Sequence, residues 1–516
     1  MTPRVVMKNV QKRFGDVQAI DDVDFYLESA EVHALLGENG AGKTSLMNVL
    51  SGLYLADSGD IEIDGKPVLI NNPKDAIENG IGMVHQHFEL IPQFTVIENI
   101  IIGKEGKDPI INFDLHRKKI KELMELYGLD VDLDTKVKYL AVGIQQKVEI
   151  LKALYREARI LILDEPTTML TPQEVEALFS VIKTLVKNGM SVVFITHKIR
   201  EVIAVSDRIT IMRRGKVVKT VSCGGITEKK CVELMMENPS SVDFEMTSTR
   251  LVIEKTQDDL ILELNEMSVQ DAYGNLSAKK INLKGYRGEI IGLVGVAGNG
   301  QREVAEAIYG LRPVANGKII FQNNNFTEAS ILDRLKSGVS IIPEDRVGQG
   351  ILPNHSVADT LVLGPHNFIF NNSILYDNKK VNLIAKDAIS DFQIKTPSER
   401  TTTSLLSGGN IQKVITARSF LLMELCGRNL LIAFNPTRGL DFKSTSFVRD
   451  KLFETRNNKG CVILISEDLD ESLYLCDRIY VMYKGAIVGE FSRENFDAYQ
   501  IGALMTGLNE GKPYDN

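Results

Sequence analysis

Eight residues near the N-terminus, Gly37-Glu38-Asn39-Gly40-Ala41-Gly42-Lys43-Thr44, have the types and spacing of a loop that holds phosphate. Glycines let successive backbone N–H groups curl around phosphate oxygens. The pattern Leu46, Val49, Leu50, Leu53 that follows has helical spacing, so the positive end of a helix faces the same anion. Lys43 is suited to charge the terminal phosphates, and the hydroxyl of Thr44, followed by Ser45, to ligate Mg²⁺. Farther along, the apolar run Ile160-Leu161-Ile162-Leu163 ends in Asp164 and Glu165. The first carboxylate is suited to holding the cation and the second to polarising an attacking water. His197 follows the run Val192-Val193-Phe194-Ile195-Thr196 and can hydrogen-bond a terminal phosphate, although a histidine at a strand end is commonly an incidental polar residue. Gln86, flanked by His85 and His87, can touch the cation and the water, or be a solvated loop amide. The two flanking histidines have no third partner that completes a zinc set.

The same landmarks return in the same order. Gly295-Val296-Ala297-Gly298-Asn299-Gly300-Gln301-Arg302 stands 258 residues after the first loop and keeps its glycines, but not its lysine or hydroxyl. Glu344 stands 258 residues after Gln86; Phe434, Glu467 and Asp477 stand 270 after Asp164, His197 and Asp207. Coincidental motifs would not preserve this order. Leu406-Ser407-Gly408-Gly409-Asn410 reads as a small-residue turn before a helical stretch. Ser407 and the amides of Gly408 and Gly409 are suited to a phosphate that approaches from outside the domain. The counterpart is Leu140-Ala141-Val142-Gly143-Ile144, where Ala141 lacks the hydroxyl and Val142 adds bulk.

These residues require elements to position them. Short β-branched runs read as strands buried on both faces, and their alternation with helical patterns predicts α/β domains with largely parallel sheets. Residues 112–127 predict a charged amphipathic helix at the periphery. The length of 516 residues exceeds one core, and the repeat predicts a first domain at residues 1–240, a polar linker at 241–259 and a second domain at 260–510. A formal charge of -8 argues against general nucleic-acid binding. No apolar run has the length of a membrane helix, and Met1-Thr2-Pro3-Arg4 leads into no apolar signal core. Five cysteines without CxxC spacing read as reduced packing residues.

In this order the motifs resemble those of the ATP-binding-cassette family, over nearly the whole chain. The resemblance implies two tandem P-loop nucleotide-binding domains, each with a RecA-like core, a small β subdomain and a helical subdomain, using ATP and Mg²⁺. It places residues 37–44 as Walker A, residues 160–165 as Walker B, Gln86 in the Q-loop, His197 as the switch histidine and residues 406–410 as the signature. Phe14 is placed like the aromatic that stacks on adenine; a packing role suits it equally well. Fused cassettes of this pattern resemble the ATPase subunit of bacterial simple-sugar and nucleoside importers. The closer wording is that of the nucleoside branch linked to a basic membrane lipoprotein, through residues 143–155, 170–174, 342–346 and 435–441. Riboflavin importers are built from similar parts.

Cassettes of this family pair head to tail, which implies composite sites. The first takes Lys43, Thr44, Gln86, Asp164, Glu165 and His197 from one domain, and Ser407, Gly409 and the D-loop-like Asp441 from the other. The second collects the losses: Gln301, Phe434, Asn435, Glu467, Ala141 and Thr171. The resemblance therefore implies one hydrolytic site, held at the cytoplasmic face of the cell membrane. Its implied partners are two permease subunits, of different sequence as the asymmetry suggests, and an extracytoplasmic solute-binding lipoprotein. The permeases would dock near the segments at residues 94–100 and 355–361. A tandem-cassette ribosomal factor would keep two complete sites, a DNA-repair cassette would bring zinc-type cysteine pairs, and a non-enzymatic scaffold would not keep the complete first site.

Overall fold

Period-two alternation within short apolar runs decides the architecture. In Ile160–Asp164, Ile160 and Ile162 face one way while Leu161 and Leu163 face the other, and all four are buried. In Ser191–Thr196, Val193 and Ile195 share the first face, and Val192 and Phe194 the second. A sheet made of such strands must be covered on both sides.

The computed structural model of the chain describes residues 3–507 except 16, 39, 87, 105–110, 236–255, 272–273, 297, 371–376, 428, 439 and 441. The chain divides into two compact units, Met1–Ser248 and Thr249–Asn516. Among the described residues the first has ten strands: β1 (Val5–Phe14), β2 (Val17–Leu27), β3 (Val32–Leu36), β4 (Ser58–Ile63), β5 (Lys66–Pro67), β6 (Ile81–Val84), β7 (Ile160–Asp164), β8 (Ser191–Thr196), β9 (Arg208–Arg213) and β10 (Lys216–Ser222). An antiparallel sheet has the order β2-β1-β4-β5, and a six-stranded sheet the order β10-β9-β3-β8-β7-β6. All neighbours in the second sheet are parallel except β10 with β9. One face packs with the helix Lys43–Leu50 and the antiparallel sheet; the other packs with the helices Val96–Ile101, Phe113–Tyr127, Val142–Tyr155 and Pro172–Lys187.

The second unit repeats this topology with β11 (Leu260–Gln270), β12 (Leu276–Tyr286), β13 (Glu289–Val294), β14 (Val314–Phe321), β15 (Asn324–Asn325), β16 (Val339–Ile342), β17 (Leu430–Phe434), β18 (Cys461–Ile465), β19 (Arg478–Tyr483) and β20 (Ala486–Ser492). Its sheet orders, β12-β11-β14-β15 and β20-β19-β13-β18-β17-β16, match the first unit strand for strand. Even the aspartate that ends the loop before the fifth strand of the large sheet is shared. Asp207 accepts from Val32 N at 2.8 Å, and Asp477 accepts from Ile290 N at 2.9 Å.

Two local expectations shift. The helix after the first glycine loop stops at Leu50, because Gly52 has φ 77° and a Cβ there would meet Asn72 O at 2.3 Å. Leu53 therefore lies beyond the helix and is exposed. The glycines at 408 and 409 are not a turn ahead of a helix. They form the first turn of the helix Gly408–Cys426, with Ser407 as its N-cap. The amphipathic helix runs Phe113–Tyr127, capped by the Asn112 side chain on Leu115 N and ended by Gly128 in the left-handed region. Most of the expected linker lies outside the described residues; a 3₁₀ turn at Gln257–Asp259 leads into β11.

Candidate nucleotide site

Parallel registers bring the chemistry-bearing residues to one sheet edge. Leu36 lies beside Thr196, Asp164 beside Ile195, and Val84 beside Leu163. The carboxyl ends of β3, β8, β7 and β6 therefore deliver the glycine loop, His197, Asp164 with Glu165, and Gln86 to a common crevice. Ligands of open α/β sheets bind in such crevices. The loop has no room for side chains where it turns. A Cβ on Gly37 would meet Met212 O at 2.4 Å, and Gly42, at φ 99°, would press on Ala19 O at 2.5 Å. Gly42 caps the helix Lys43–Leu50 without a side-chain hydrogen bond, so no side chain covers the helix N-terminus.

Lys43 is buried and donates to Gly37 O at 2.7 Å and Glu38 O at 3.0 Å. Burial pushes its pKa below the usual lysine range, against the opposing pull of Glu165 and Asp164. Thr44 Oγ1 donates to Asp164 Oδ1 at 3.2 Å. Burial, and then the neighbouring charge of Glu165, push Asp164 up to about 6. Glu165 is held from both sides: Gln86 Nε2 donates to Oε2 at 3.0 Å, and His197 Nδ1 lies 3.1 Å from Oε1. Burial pushes its carboxyl up. The His197 hydrogen bond and the charges of His197, Lys43 and Lys198 outweigh this and hold it below the usual range. Glu165 thus stays a carboxylate, oriented by Gln86 and His197. Its backbone sits at φ 46°, in the left-handed region.

Two positioning contacts escaped the sequence reading. Glu201, half-buried, accepts from Thr167 Oγ1 at 2.7 Å and Thr196 Oγ1 at 3.2 Å, tying the loop after β7 to the end of β8. Gln146 Nε2 donates to Pro166 O at 2.9 Å from the helix Val142–Tyr155. Both recur in the second unit. Glu471 accepts from Thr437 Oγ1 and Ser466 Oγ, and Gln412 donates to Pro436 O. Recurrence at the repeat's own spacing was the signal that could have found them.

The second unit keeps the scaffold and changes the chemistry. Gly298 and Gly300 hold φ 88° and 100°, as Gly40 and Gly42 hold 79° and 99°. Gln301 takes the place of Lys43 and makes a long contact of 3.4 Å with Val296 O, the counterpart of Glu38 O. Arg302 replaces Thr44 and pairs with Glu306 at 2.9 Å. Phe434 and Asn435 replace the carboxylates. Asn435 keeps the left-handed backbone, at φ 42°, and its Oδ1 accepts from Glu467 N at 2.9 Å. Glu467 pairs with Arg438 at 3.4 Å.

The family model described as ABC transporter matches residues 20–168 and, separately, residues 278–438. This chain belongs to the ABC transporter family. It is an ABC-type ATPase built from two tandem P-loop α/β cassettes, and its nucleotide is ATP. The chain is 41% identical to the nucleoside import ATP-binding protein NupA of Lactococcus lactis subsp. cremoris, over 98% of each chain. It is 38% identical to the glucose import ATP-binding protein TsgD13 of Haloferax volcanii, over 98% of this chain and 96% of that one. It is 37% identical to the guanosine import ATP-binding protein NupO of Bacillus subtilis, over 98% of each.

The remaining cassette candidates fall as follows. Phe14 is 41% exposed and meets Tyr54 edge-on at 5.0 Å, with Lys12 Nζ 5.5 Å from its ring centre. An exposed ring suits stacking better than packing. Ser407 Oγ accepts from Asn410 Nδ2 at 2.9 Å. A Cβ on Gly408 would meet nothing within 4 Å and one on Gly409 only Leu440 Cδ2 at 3.9 Å, whereas one on Gly143 would strike Glu174 Oε1 at 2.3 Å. The second cassette's turn is open where the first cassette's is filled. Gly40 and Thr44 are exposed and Ser45 half-buried at the first loop; Asn39 and Asp441 lie outside the described residues.

The Asp164 carboxyl yields a stability prediction. Its folded pKa of about 6 exceeds its ordinary 3.8, so the folded chain binds that proton more tightly than the unfolded one. Ionisation therefore opposes folding, fully above about pH 6 and hardly at all below about pH 4. The displacement corresponds to roughly 3 kcal/mol. Asp164→Asn should raise the thermal midpoint of the nucleotide-free protein at pH 8 and lose that advantage as pH falls toward 4.5. An equal gain at both pH values would refute the assignment.

Proposed function

We propose that this cassette protein is the ATP-hydrolysing subunit of an importer that takes up a nucleoside or a related ribose-containing solute. What carries the reading is full-length likeness to proteins named for nucleoside and guanosine import, together with a complete set of hydrolytic side chains in the first cassette. A sugar importer is the second reading, favoured by the likeness to proteins named for glucose and ribose import. Among the described residues no helix is long and apolar enough to cross a membrane, so permease subunits would supply the pore, and a solute-binding protein would deliver the cargo. In this reading the protein sits at the cytoplasmic face of the cell membrane. The permeases, of two kinds, would contact the segments around the helices Val96–Ile101 and Val357–Val362.

In the first cassette the donor set fits Mg²⁺. A hydroxyl and a carboxylate oxygen stand 3.2 Å apart, both hard oxygen donors, and the carboxylate lacks enough positive charge around it to keep its ordinary pKa. Thr44 and Asp164, with Gln86 from the facing loop, would hold the ion, which supplies charge neutralisation at the phosphates. Lys43 and the amides around Gly37, Asn39, Gly40, Gly42 and Ser45 would cradle the phosphate chain, and Phe14 would stack on the base. Glu165 orients the attacking water, and His197 and Gln86 register the terminal phosphate through the carboxylate they already hold. By the family resemblance Ser407, Gly408, Gly409 and Asp441 would serve nucleotide as signature and D-loop residues, and the second cassette's own loop would not hydrolyse.

Two measurements test the assignment on the assembled transporter. Glu165→Gln should lower ATP turnover at least a hundredfold, the scale of a lost general base, while Gln301→Ala leaves it within about twofold. Comparable losses from both would sink the asymmetric reading. Ser407→Ala should lower turnover roughly tenfold, as for a lost hydrogen bond to a charged group, and Ala141→Ser should change it little. Uptake of labelled guanosine against ribose and glucose, in cells dependent on this chain, separates the two solute classes.

A further inference from the structure

The two cassettes solve the electrostatics of phosphate differently. The first presents two carboxylates at the end of β7, Asp164, which accepts from Thr44 Oγ1 at 3.2 Å, and Glu165, an oxygen set that suits a cation. The second has no carboxylate at either of those positions. In their place stand Phe434, which offers no oxygen to a metal, and Asn435, which is 5% exposed. Asn435 spends its oxygen on Glu467 N, and its Nδ2 is buried without a hydrogen-bond partner. A buried donor left unmet is costly unless something arrives to accept from it. Asn435 follows β17 as Glu165 follows β7, so it stands at the crevice edge where the first cassette presents its water-orienting carboxylate. A donor at that position suits a phosphate oxygen and cannot polarise a water as a base.

The cradle for the phosphate is intact. Gly300, at φ 100°, caps the nine-residue helix Gln301–Tyr309 with no side-chain hydrogen bond, and Gln301 lies buried across the loop on one contact of 3.4 Å. Where the first cassette has the hydroxyl of Thr44, the second has the guanidinium of Arg302, about half exposed and fixed at the helix start. Its partner Glu306 is also held by Arg312, at 2.8 and 2.6 Å. Arg302 can therefore turn to a phosphate without leaving Glu306 unpaired. A guanidinium matches phosphate geometry and carries its own charge.

We propose that the second cassette binds the phosphate chain of a nucleotide without a divalent cation, with Arg302 supplying the charge and Asn435 and Gln301 the neutral donors. The site would be a metal-independent nucleotide clamp alongside a metal-dependent hydrolytic one. This rests on reading the second cassette's loop as non-hydrolytic, but it concerns equilibrium binding. Turnover and binding are measured separately, so either reading can fail alone.

The test is binding of ATP to the full-length protein by calorimetry, in Mg²⁺ and in excess EDTA. Wild-type protein should retain one equivalent of ATP binding in EDTA. Arg302→Ala and Asn435→Asp, the latter nearly isosteric and now repelling phosphate, should each weaken that EDTA-resistant binding roughly tenfold or more. Lys43→Ala should leave it in place while removing Mg²⁺-dependent binding. No EDTA-resistant binding in the wild type would overturn the proposal. So would EDTA-resistant binding that disappears with Lys43→Ala and survives Arg302→Ala.

Discussion

Two carboxylates at the end of one buried strand set the terms for the first cassette. Asp164 and Glu165 are drawn out of water together; the hydrogen bond of His197 and the charges of His197, Lys43 and Lys198 offset burial at Glu165, but at Asp164 burial and the charge of Glu165 prevail. Burial of unpaired charge is unfavourable. The fold accepts it at the crevice proposed to receive a cation and a polyphosphate. The surrounding contacts confine the strain rather than remove it. His197 helps to hold Glu165 ionised and Gln86 orients it, Thr44 steadies Asp164, and Glu201 ties the loop after β7 to the end of β8.

The scaffold that imposes this arrangement is independent of the chemistry. Both units share every sheet neighbour, the aspartate contact to the first core strand and the glutamine that ties the long helix to the loop after the carboxylate strand. Core-strand positions mostly exchange one apolar residue for another, as Phe194 for Leu464 and Leu163 for Ala433, whereas at the crevice the chemical type changes, as Lys43 to Gln301 and Glu165 to Asn435. Packing density explains the contrast. A core position is held by neighbours on all sides, whereas a crevice position answers only to its ligand and can change when the ligand's demands change.

Much of this was legible in the sequence, for identifiable reasons. Strands buried on both faces leave unbroken β-branched runs, and a phosphate loop needs glycines at fixed spacing, because a Cβ at Gly37 or Gly42 would strike backbone. What escaped lacked such a signature. Leu53 continues a helical period past the true helix end, because the stop comes from Gly52 lying against Asn72, a contact distant in sequence. Ser407 reads as part of a turn because capping is settled by one residue's backbone. Glu201 and Thr167 are single polar residues in unremarkable surroundings, and only their recurrence as Glu471 and Thr437 marks them.

Backbone geometry explains one substitution that side-chain chemistry leaves open. Several neutral residues could relieve the second cassette of a carboxylate. The residue after the strand, however, sits in the left-handed region in both cassettes, at φ 46° for Glu165 and 42° for Asn435, and donates its N–H to the neighbouring strand, at Ile195 O and Ile465 O. Asparagine tolerates that conformation better than most residues that carry a side chain. A glycine would adopt it but would abandon the hydrogen bond that fixes Glu467 N. Asparagine meets both demands, so replacing the carboxylate there does not require the strand to move. The second cassette can give up that carboxylate while its sheet order and its helix Gly408–Cys426 keep the arrangement of the first.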